Sequence, residues 1–125
     1  MDKRRIDGLL RLDGPGRYEH LVKRAADTQR LFGLWLGGWA LYGDAEGREC
    51  FPVWPDPEFA ELLASDDWNE FKPRDILLAD VHASLLPALR ERTTFIAAFP
   101  TPESAAVVID PDGFEADLRS EQKRY

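Results

Sequence analysis

Hydrophobic side chains recur at two different periods along the chain, and the changes of period define the predicted elements. Between Arg17 and Phe32 the apolar positions follow helical spacing, with charged residues on the opposite side, which predicts an amphipathic helix. Residues 1–14 lack a sustained period and end in Asp13-Gly14-Pro15-Gly16, a cluster of helix and strand breakers. We therefore predict a loosely ordered leader over residues 1–16 and a single α+β domain over residues 17–125.

Alternating positions between Leu34 and Trp54 predict a meander of three short strands. The first turn is placed at Gly37-Gly38, because two glycines accept the positive φ angles of a tight hairpin turn. The second turn is placed at Asp44-Ala45-Glu46-Gly47 and leads into the last strand. Pro52 lies in that strand and has no N–H to donate, so either the strand lies at a sheet edge or this position points away from its neighbour.

Two helices of the second half begin with the same local pattern. Aspartate followed by proline and an acidic residue caps a helix, presets its first turn and complements its dipole. This pattern occurs at Asp56-Pro57-Glu58 and again at Asp110-Pro111-Asp112. Another helix is predicted after Asp80, and Pro87 should kink or divide it because proline cannot donate a hydrogen bond in a helix interior.

Apolar runs in the second half predict the remaining strands. A short strand covers residues 75–78, and two longer strands cover residues 94–99 and 105–109, joined by a short proline-containing segment that suits an antiparallel pair. The predicted order is α-β-β-β-α-β-α-β-β-α. It indicates the α+β fold class, with a mainly antiparallel sheet of about 5–6 strands and about 4 helices packed on it.

Distinctive sequence blocks occur in a fixed order along the chain: Gly-Gly-Trp in GGWALYGDAEG, Pro-Val-Trp-Pro in FPVWPDPEFA, and Phe-Pro-Thr-Pro in FIAAFPTPES. From about Arg17 to Leu118 the chain resembles a small bacterial family catalogued as a domain of unknown function. The succession of elements is more weakly similar to the N-terminal domain of the enhanced-serine-sensitivity protein B family. Neither family implies an established activity, so the resemblance supports the fold and carries over no functional residue.

Composition limits the class of protein. A chain of 125 residues with 44% hydrophobic and 31% charged side chains is typical of one globular domain. Its apolar runs are far shorter than the roughly 20 residues needed to span a bilayer, and its N-terminus lacks a signal-peptide pattern. We therefore expect a cytoplasmic protein that has no membrane partner. Cys50 is the single cysteine and cannot form an intramolecular disulfide.

Acidic side chains are concentrated in the middle of the chain. The formal net charge is −7, and residues 44–75 alone carry 10 acidic against 3 basic side chains. Phosphate backbones require clustered lysine and arginine, so nucleic acid is a poor partner. This acidic block would attract a cationic protein surface, although the simplest role of such a block is to keep a protein soluble.

The titratable residues carry no catalytic or metal-binding signature. Cys50 lies in a predicted strand without a nucleophile motif, and His20 and His82 fall in separate predicted helices without acidic partners at metal-ligand spacing. Asp66 and Asp67 lie in a predicted loop, where aspartate is common. We therefore expect no enzyme activity, no metal and no cofactor.

The tryptophans raise the main functional question. Trp35 and Trp39 flank the predicted hairpin, and Trp54 ends the neighbouring strand within the acidic block. Core packing is the simplest role for tryptophan, whereas exposed tryptophan is enriched at binding hot spots. Because Trp39 shares a predicted strand face with Leu41, we expect Trp39 to be buried and Trp35 or Trp54 to be a surface anchor.

Two function hypotheses follow. The first is a non-enzymatic protein-interaction module of the bacterial cytoplasm that binds a basic partner through an acidic and aromatic surface. Its most concrete form is an immunity or antitoxin-like protein that neutralises a cationic toxin. The alternative is a small-molecule-binding regulatory domain with a Trp-lined pocket. The candidate binding residues are Trp35, Trp54, Glu58, Glu61, Asp67 and Trp68.

Overall fold

Two β-sheets form the framework of the computed structural model, which describes residues 1–124. In chain order the strands are β1 Arg30–Trp35, β2 Tyr42–Gly43, β3 Glu49–Val53, β4 Lys72–Leu77, β5 Phe95–Ala98 and β6 Val107–Ile109. The helices are α1 Lys3–Leu10, α2 Gly14–Thr28, α3 Pro57–Leu63, α4 Leu78–Asp80, α5 Leu86–Arg92 and α6 Pro111–Gln122. A 3₁₀ turn covers Asp66–Trp68, and a π-helical turn at Val81–Leu85 joins α4 to α5.

The two sheets differ in size and in strand direction. β1 and β4 form a two-stranded antiparallel sheet, and the second sheet has the order β2-β3-β5-β6. In that sheet the outer pairs are antiparallel, whereas β3 and β5 run parallel. Backbone hydrogen bonds of 2.9 and 2.8 Å between Phe32 and Trp54 link the two sheets. The predicted α+β class is therefore confirmed, but the strands form two sheets instead of one, and the parallel pair is not part of the predicted arrangement.

The N-terminal residues differ from the predicted loosely ordered leader, because α1 is a regular helix. Asp2 caps this helix by accepting a hydrogen bond of 2.8 Å from the backbone N–H of Arg5. Ile6, Leu9 and Leu10 pack against the core. Short helices are stabilised mainly by such tertiary contacts, which a sequence period does not reveal.

The first predicted helix begins and ends earlier than expected. The sequence Asp13-Gly14-Pro15-Gly16 starts α2 instead of breaking the chain, because Asp13 caps the helix and Pro15 lies in its first turn, where no helical N–H is required. At the other end Gln29 adopts a left-handed conformation with φ 62°, which ends α2 at Thr28. Phe32, expected in the helix, therefore lies in β1.

The predicted meander is present only in part. The β2–β3 hairpin forms around the predicted second turn, where Gly47 has φ +80°. At the first turn a single bridge joins Trp35 to Trp39, and β1 pairs instead with β4. Pro52 does not lie on an edge strand, because β3 is flanked by β2 and β5. On the side of β3 that faces β2, Pro52 lies between Cys50, which pairs with β2, and Trp54, which forms the bridge to Phe32. The missing N–H of Pro52 therefore disrupts no pair on that side.

The predicted elements of the second half agree well with the structure. α3 begins at Pro57 and α6 at Pro111, each after an aspartate in extended conformation. Asp110 caps α6 as predicted, by accepting from the Gly113 N–H at 3.2 Å. The predicted cap at Asp56 is wrong, because Asp56 Oδ1 accepts from Arg24 at 3.1 Å and makes no cap hydrogen bond. Pro87 directly follows the π-helical turn, and the backbone at Asp80, Leu85 and Leu86 keeps helical angles. The helical hydrogen-bond pattern therefore changes next to Pro87, but the region is not divided into separate helices. β5 and β6 form the predicted antiparallel pair.

Side chains on the two faces of the four-stranded sheet have different surroundings. One face, which includes Phe51, Ile96 and Ala98, belongs to the main hydrophobic core together with residues of α2 and α6. Strand pairing places Tyr42, Cys50, Phe95, Ala97 and Val108 on the opposite face, outside that core cluster. This second face leads to the groove described below. Within residues 1–124, the structure contains no helix with the length and hydropathy required to cross a bilayer.

Candidate functional site

Trp54 is a core residue and is not available as a surface anchor. Its side chain is 0% exposed, and its indole Nε1 donates a hydrogen bond of 2.8 Å to the carbonyl oxygen of Pro100. The sequence-based expectation for this residue is therefore wrong. Strand alternation by itself would place Trp54 on the face opposite Phe51 and Val53. Trp54 is buried because the two sheets meet at this residue and the segment after β5 covers its side chain.

Trp35 and Trp39 form a partly exposed pair next to the two-stranded sheet. Their rings meet edge to face, with 4.9 Å between the centroids. The guanidinium of Arg74 stacks over Trp35 at 4.2 Å from the ring centroid, and it lies 5.7 Å from the Trp39 ring. Trp39 also packs against Phe51, with 5.7 Å between the ring centroids, and lies close to Gly33. Trp39 packs against the core but is only partly buried, so the expectation of a buried Trp39 is met only in part. The ring of Trp35 stacks with an arginine of its own chain.

Trp68 is the candidate tryptophan that borders a large groove. It is partly buried and meets the ring of Tyr42 in an edge-to-face contact, with 5.9 Å between the centroids. Tyr42 is absent from the residues proposed from the sequence. The sequence places Tyr42 in the second predicted strand. Its contact with Trp68 depends on the β2–β3 pairing and on the loop after α3, which the sequence pattern does not indicate.

The groove next to Tyr42 and Trp68, called here the aromatic groove, has a volume of about 850 Å³ and is open to solvent. One wall comes from the β2–β3 hairpin, and another comes from the segment between β5 and β6. Its lining is mainly apolar: Tyr42, Ala45, Leu63, Trp68, Pro100, Pro102, Ala105, Ala106 and Val108, among others. A second depression of about 580 Å³ shares Tyr42, Leu63 and Trp68 with it and extends to Asp66, Asp67 and Phe71.

Charged side chains belong to the lining of the aromatic groove, and they are called here its rim. Asp44, Glu46 and Glu103 are acidic lining residues, and Arg48 is a basic one. The guanidinium of Arg48 lies 2.7 Å from Asp44 Oδ2 and 3.5 Å from Glu46 Oε2. Since Arg48 is held by these carboxylates and also lies over the Phe95 ring, the rim retains an excess of negative charge.

The hairpin turn holds Asp44 in its ionised form. The backbone N–H groups of Arg48 and Glu46 donate to Asp44 Oδ1 at 2.9 and 3.0 Å. The Arg48 N–H, with help from the Arg48 guanidinium, holds the pKa of Asp44 below its ordinary value. Burial raises the pKa of Tyr42 to about 12. At neutral pH the groove therefore presents a carboxylate beside a neutral phenol.

The structure brings only some of the sequence-predicted acidic residues to this surface. Asp67 lines the second depression. Glu58 and Glu61 lie on α3 outside the lining of either groove, and Glu58 contacts the N-terminal amine of Met1 at 3.4 Å. Sequence proximity grouped these side chains with the tryptophans, but α3 directs them elsewhere.

The residues considered for catalysis lie on different elements of the fold. Cys50 is buried, and burial raises the pKa of its thiol, which disfavours the reactive thiolate. His20 lies on α2 and His82 lies in the π-helical turn, where its Nε2 is 2.8 Å from Gln122 Oε1. Among residues 1–124 no group of three His, Cys, Asp or Glu side chains is arranged to hold a metal ion.

Comparison with known proteins adds one result to this geometry. A search of the curated proteins finds no match to the chain, and a search of the solved structures finds none either. A protein family described as "Protein of unknown function (DUF2750)" matches residues 18–118. This region includes all six strands and α3 to α5. Since the match covers most of the sequence, the chain belongs to the DUF2750 family of proteins of unknown function.

Proposed function

We propose that this chain is a non-enzymatic protein-interaction module that binds a basic segment of a partner protein in the aromatic groove. The observation that carries the proposal is the combination of the Tyr42–Trp68 pair with an open, mainly apolar groove whose rim is acidic. Tyrosine and tryptophan supply large contact areas at little cost in conformational entropy, and they dominate the energetics of many protein interfaces. Apolar anchors of the partner would contact the rings and walls of the groove.

Charge gives the proposal its specificity. Glu46 and Glu103 belong to different walls of the aromatic groove, on the β2–β3 turn and on the segment after β5. Asp66 and Asp67 extend the same negative surface into the second depression. A partner segment with lysine or arginine beside its apolar side chains would therefore meet complementary charge on both walls, which speeds association and disfavours acidic competitors.

A small-molecule-binding regulatory domain is the second candidate. The volume of about 850 Å³ falls within the usual range of ligand pockets, which supports this alternative. Its lining contains one tryptophan, Trp68, instead of the predicted tryptophan cluster. The open shape of the groove favours an extended segment of a protein over a small ligand enclosed by the site.

The biological setting is a more specific part of the proposal. An immunity or antitoxin-like protein of the bacterial cytoplasm would use such an acidic groove to neutralise a cationic toxin. The acidic side chains support this version because they would attract a basic partner at long range. The weaker resemblance to the N-terminal domain of the enhanced-serine-sensitivity protein B family stays a prediction and adds no activity.

Selection of peptides tests the proposal directly, because it does not require the natural partner to be identified first. A library of random peptides of about ten residues, enough for an extended segment, would be displayed and selected on the wild-type protein, with Trp68→Ala as the counter-selection target. We expect the enriched peptides to carry lysine or arginine next to apolar residues and to lose affinity for Trp68→Ala. Trp35→Ala is the matched control, because it also removes a partly exposed indole but one outside the groove.

Three results would contradict the proposal. These are enrichment of acidic peptides, retention of the selected peptides by Trp68→Ala, and equal loss of binding in the Trp35→Ala control. A thermal-shift screen of small metabolites covers the alternative. A compound that stabilises the wild-type protein but not Trp68→Ala, together with a failed peptide selection, would favour the small-molecule hypothesis.

A further inference from the structure

Arg17 is a buried charged residue that links α2 to the wall of the aromatic groove. Its side chain is only 1% exposed. Nε donates to the carbonyl oxygen of Phe99 at 3.1 Å, and Nη1 donates to that of Leu12 at 2.7 Å. Nη2 donates to Ser104 Oγ and to the Ala105 carbonyl oxygen, both at 3.0 Å. One guanidinium thus holds both ends of the Phe99–Ala105 segment and joins them to the residues before α2.

The surroundings of this guanidinium are unusual for a buried charge. Its hydrogen-bond acceptors are carbonyl and hydroxyl oxygens, and none of them is a carboxylate. Asp13 lies near enough to oppose the effect of burial, but its Oδ1 accepts from Gly16 N at 2.8 Å as the cap of α2. Burial lowers the pKa of Arg17. Burying a charge without a paired carboxylate is costly, and these hydrogen bonds offset part of the lost hydration. They also fix the positions of the acceptors on the segment.

The segment that Arg17 holds is not stabilised by regular secondary structure. Phe99 has φ 54°, a left-handed conformation that is uncommon for a phenylalanine. Thr101 and Ser104 exchange backbone hydrogen bonds of 3.2 and 3.3 Å across a tight turn. The residues of this turn, Thr101 to Ser104, line the aromatic groove. They also line a different groove of about 580 Å³, which is formed with residues of α1 and is separate from the depression at Asp66 and Asp67.

We infer that Arg17 is the positioning residue of the binding site: its guanidinium fixes the Phe99–Ala105 segment in the conformation that forms one wall of the aromatic groove. The role of this wall in binding rests on the proposed function. Arg17 does not contact a bound segment itself, because its side chain is buried beneath the turn. It acts through Pro100, Pro102 and Glu103, which line the groove.

The planar geometry of arginine explains why this residue type occupies the position. A guanidinium carries five N–H donors in a fixed fork, so it can reach four acceptors that lie in different directions. A lysine ammonium has three donors at one point and cannot reach the same set. Lysine at position 17 would retain the positive charge without the arrangement of the wall, which separates the effect of charge from the effect of geometry.

The experiment compares Arg17→Lys and Arg17→Met with the wild-type protein and with an Arg30→Met control, which removes an exposed arginine outside the grooves. Hydrogen exchange of the Thr101 and Ser104 amides reports the wall, and exchange of the β3 amides reports the rest of the sheet. Affinity for a peptide selected on the wild-type protein reports the site. We expect faster exchange at Thr101 and Ser104, unchanged exchange in β3, and an affinity about tenfold lower for both variants.

Unchanged exchange at Thr101 and Ser104 together with wild-type affinity would overturn the inference, and so would rescue of both properties by Arg17→Lys. If both Arg17 variants fail to fold, Ser104→Ala decides, because it removes one acceptor of four and should accelerate exchange of the same turn. If the wild-type protein selects no peptide, the proposed function fails, and the exchange comparison alone decides whether Arg17 fixes the wall.

Discussion

The indole of Trp54 and the carbonyl oxygen of Pro100 are joined by a buried hydrogen bond of 2.8 Å. This bond ties the end of β3 to the segment that follows β5, and Arg17 holds the same segment from the side of α2. Two buried side chains from different elements therefore donate hydrogen bonds to the wall of the aromatic groove. Both side chains hold this wall although neither of them lines the aromatic groove.

Truncation of Trp54 should be far more damaging than truncation of Trp35. Trp54→Ala removes a fully buried side chain, so we expect a loss of about 3–5 kcal/mol in the free energy of unfolding. Trp35→Ala removes a partly exposed ring and its stacking with Arg74, and we expect a loss below about 1.5 kcal/mol. Urea denaturation of the two variants measures the difference. Equal losses would contradict the core assignment of Trp54.

Neutralising the rim of the aromatic groove should slow association with a basic peptide. The double variant Glu46→Gln and Glu103→Gln removes rim charges, so we expect a lower association rate and a weaker dependence of that rate on salt. Glu61→Gln removes an exposed charge of α3 outside the groove and should leave both unchanged. Stopped-flow measurements at several salt concentrations provide the test, and a larger effect of Glu61→Gln would locate the steering charge elsewhere.

Mild acid should destabilise the fold through His20. Its Nε2 is buried without a hydrogen-bond partner, and burial lowers the pKa of His20 from 6.5, with Asp56 opposing and Arg5 and Arg24 assisting. The unfolded chain therefore binds a proton at His20 more tightly than the folded protein does. Its contribution to the free energy of unfolding is present above the unfolded pKa and falls as the pH drops below about 6.5.

Urea denaturation at pH 7.5 and at pH 5.5 measures this contribution. We expect lower stability at pH 5.5 for the wild-type protein and a smaller difference for His20→Gln, which cannot titrate. Hydrogen bonds from Thr94 and Arg92 lower the pKa of Glu49, so this carboxylate loses its contribution only at more acidic pH. An undiminished pH dependence in His20→Gln would assign the effect to another group.

A methyl group at Gly33 should disturb the packing of Trp39. A Cβ atom built at Gly33 would lie 3.0 Å from Trp39 Cε3 and Cζ3, which is closer than normal contact. We expect Gly33→Ala to lower the free energy of unfolding by about 1–3 kcal/mol, because the ring must shift. Gly38→Ala is the matched control, since a Cβ there has open space around it. Thermal melts and tryptophan fluorescence of both variants would show the difference.

Local sequence determined where several elements begin. Pro57 and Pro111 start α3 and α6, and Asp110 caps α6, because a fixed φ and a cap hydrogen bond act within one turn of the chain. Pro87 follows the π-helical turn after β4, because proline has no N–H for the regular helical pattern. The β5–β6 pair follows from a short connection between two apolar runs. The aromatic and acidic composition of the middle of the chain also predicted Trp68 and Asp67 as candidate binding residues.

Tertiary structure alone decided which of these side chains meet. Trp54 became core and Trp35 stayed at the surface because β1 pairs with β4 and the segment after β5 folds over the end of β3. Arg17 reached Ala105 across 88 positions of the chain, and no local pattern marks such a contact. Capping and turn preferences act between neighbours in sequence, whereas burial, groove walls and buried polar contacts depend on residues brought together only when the whole chain folds.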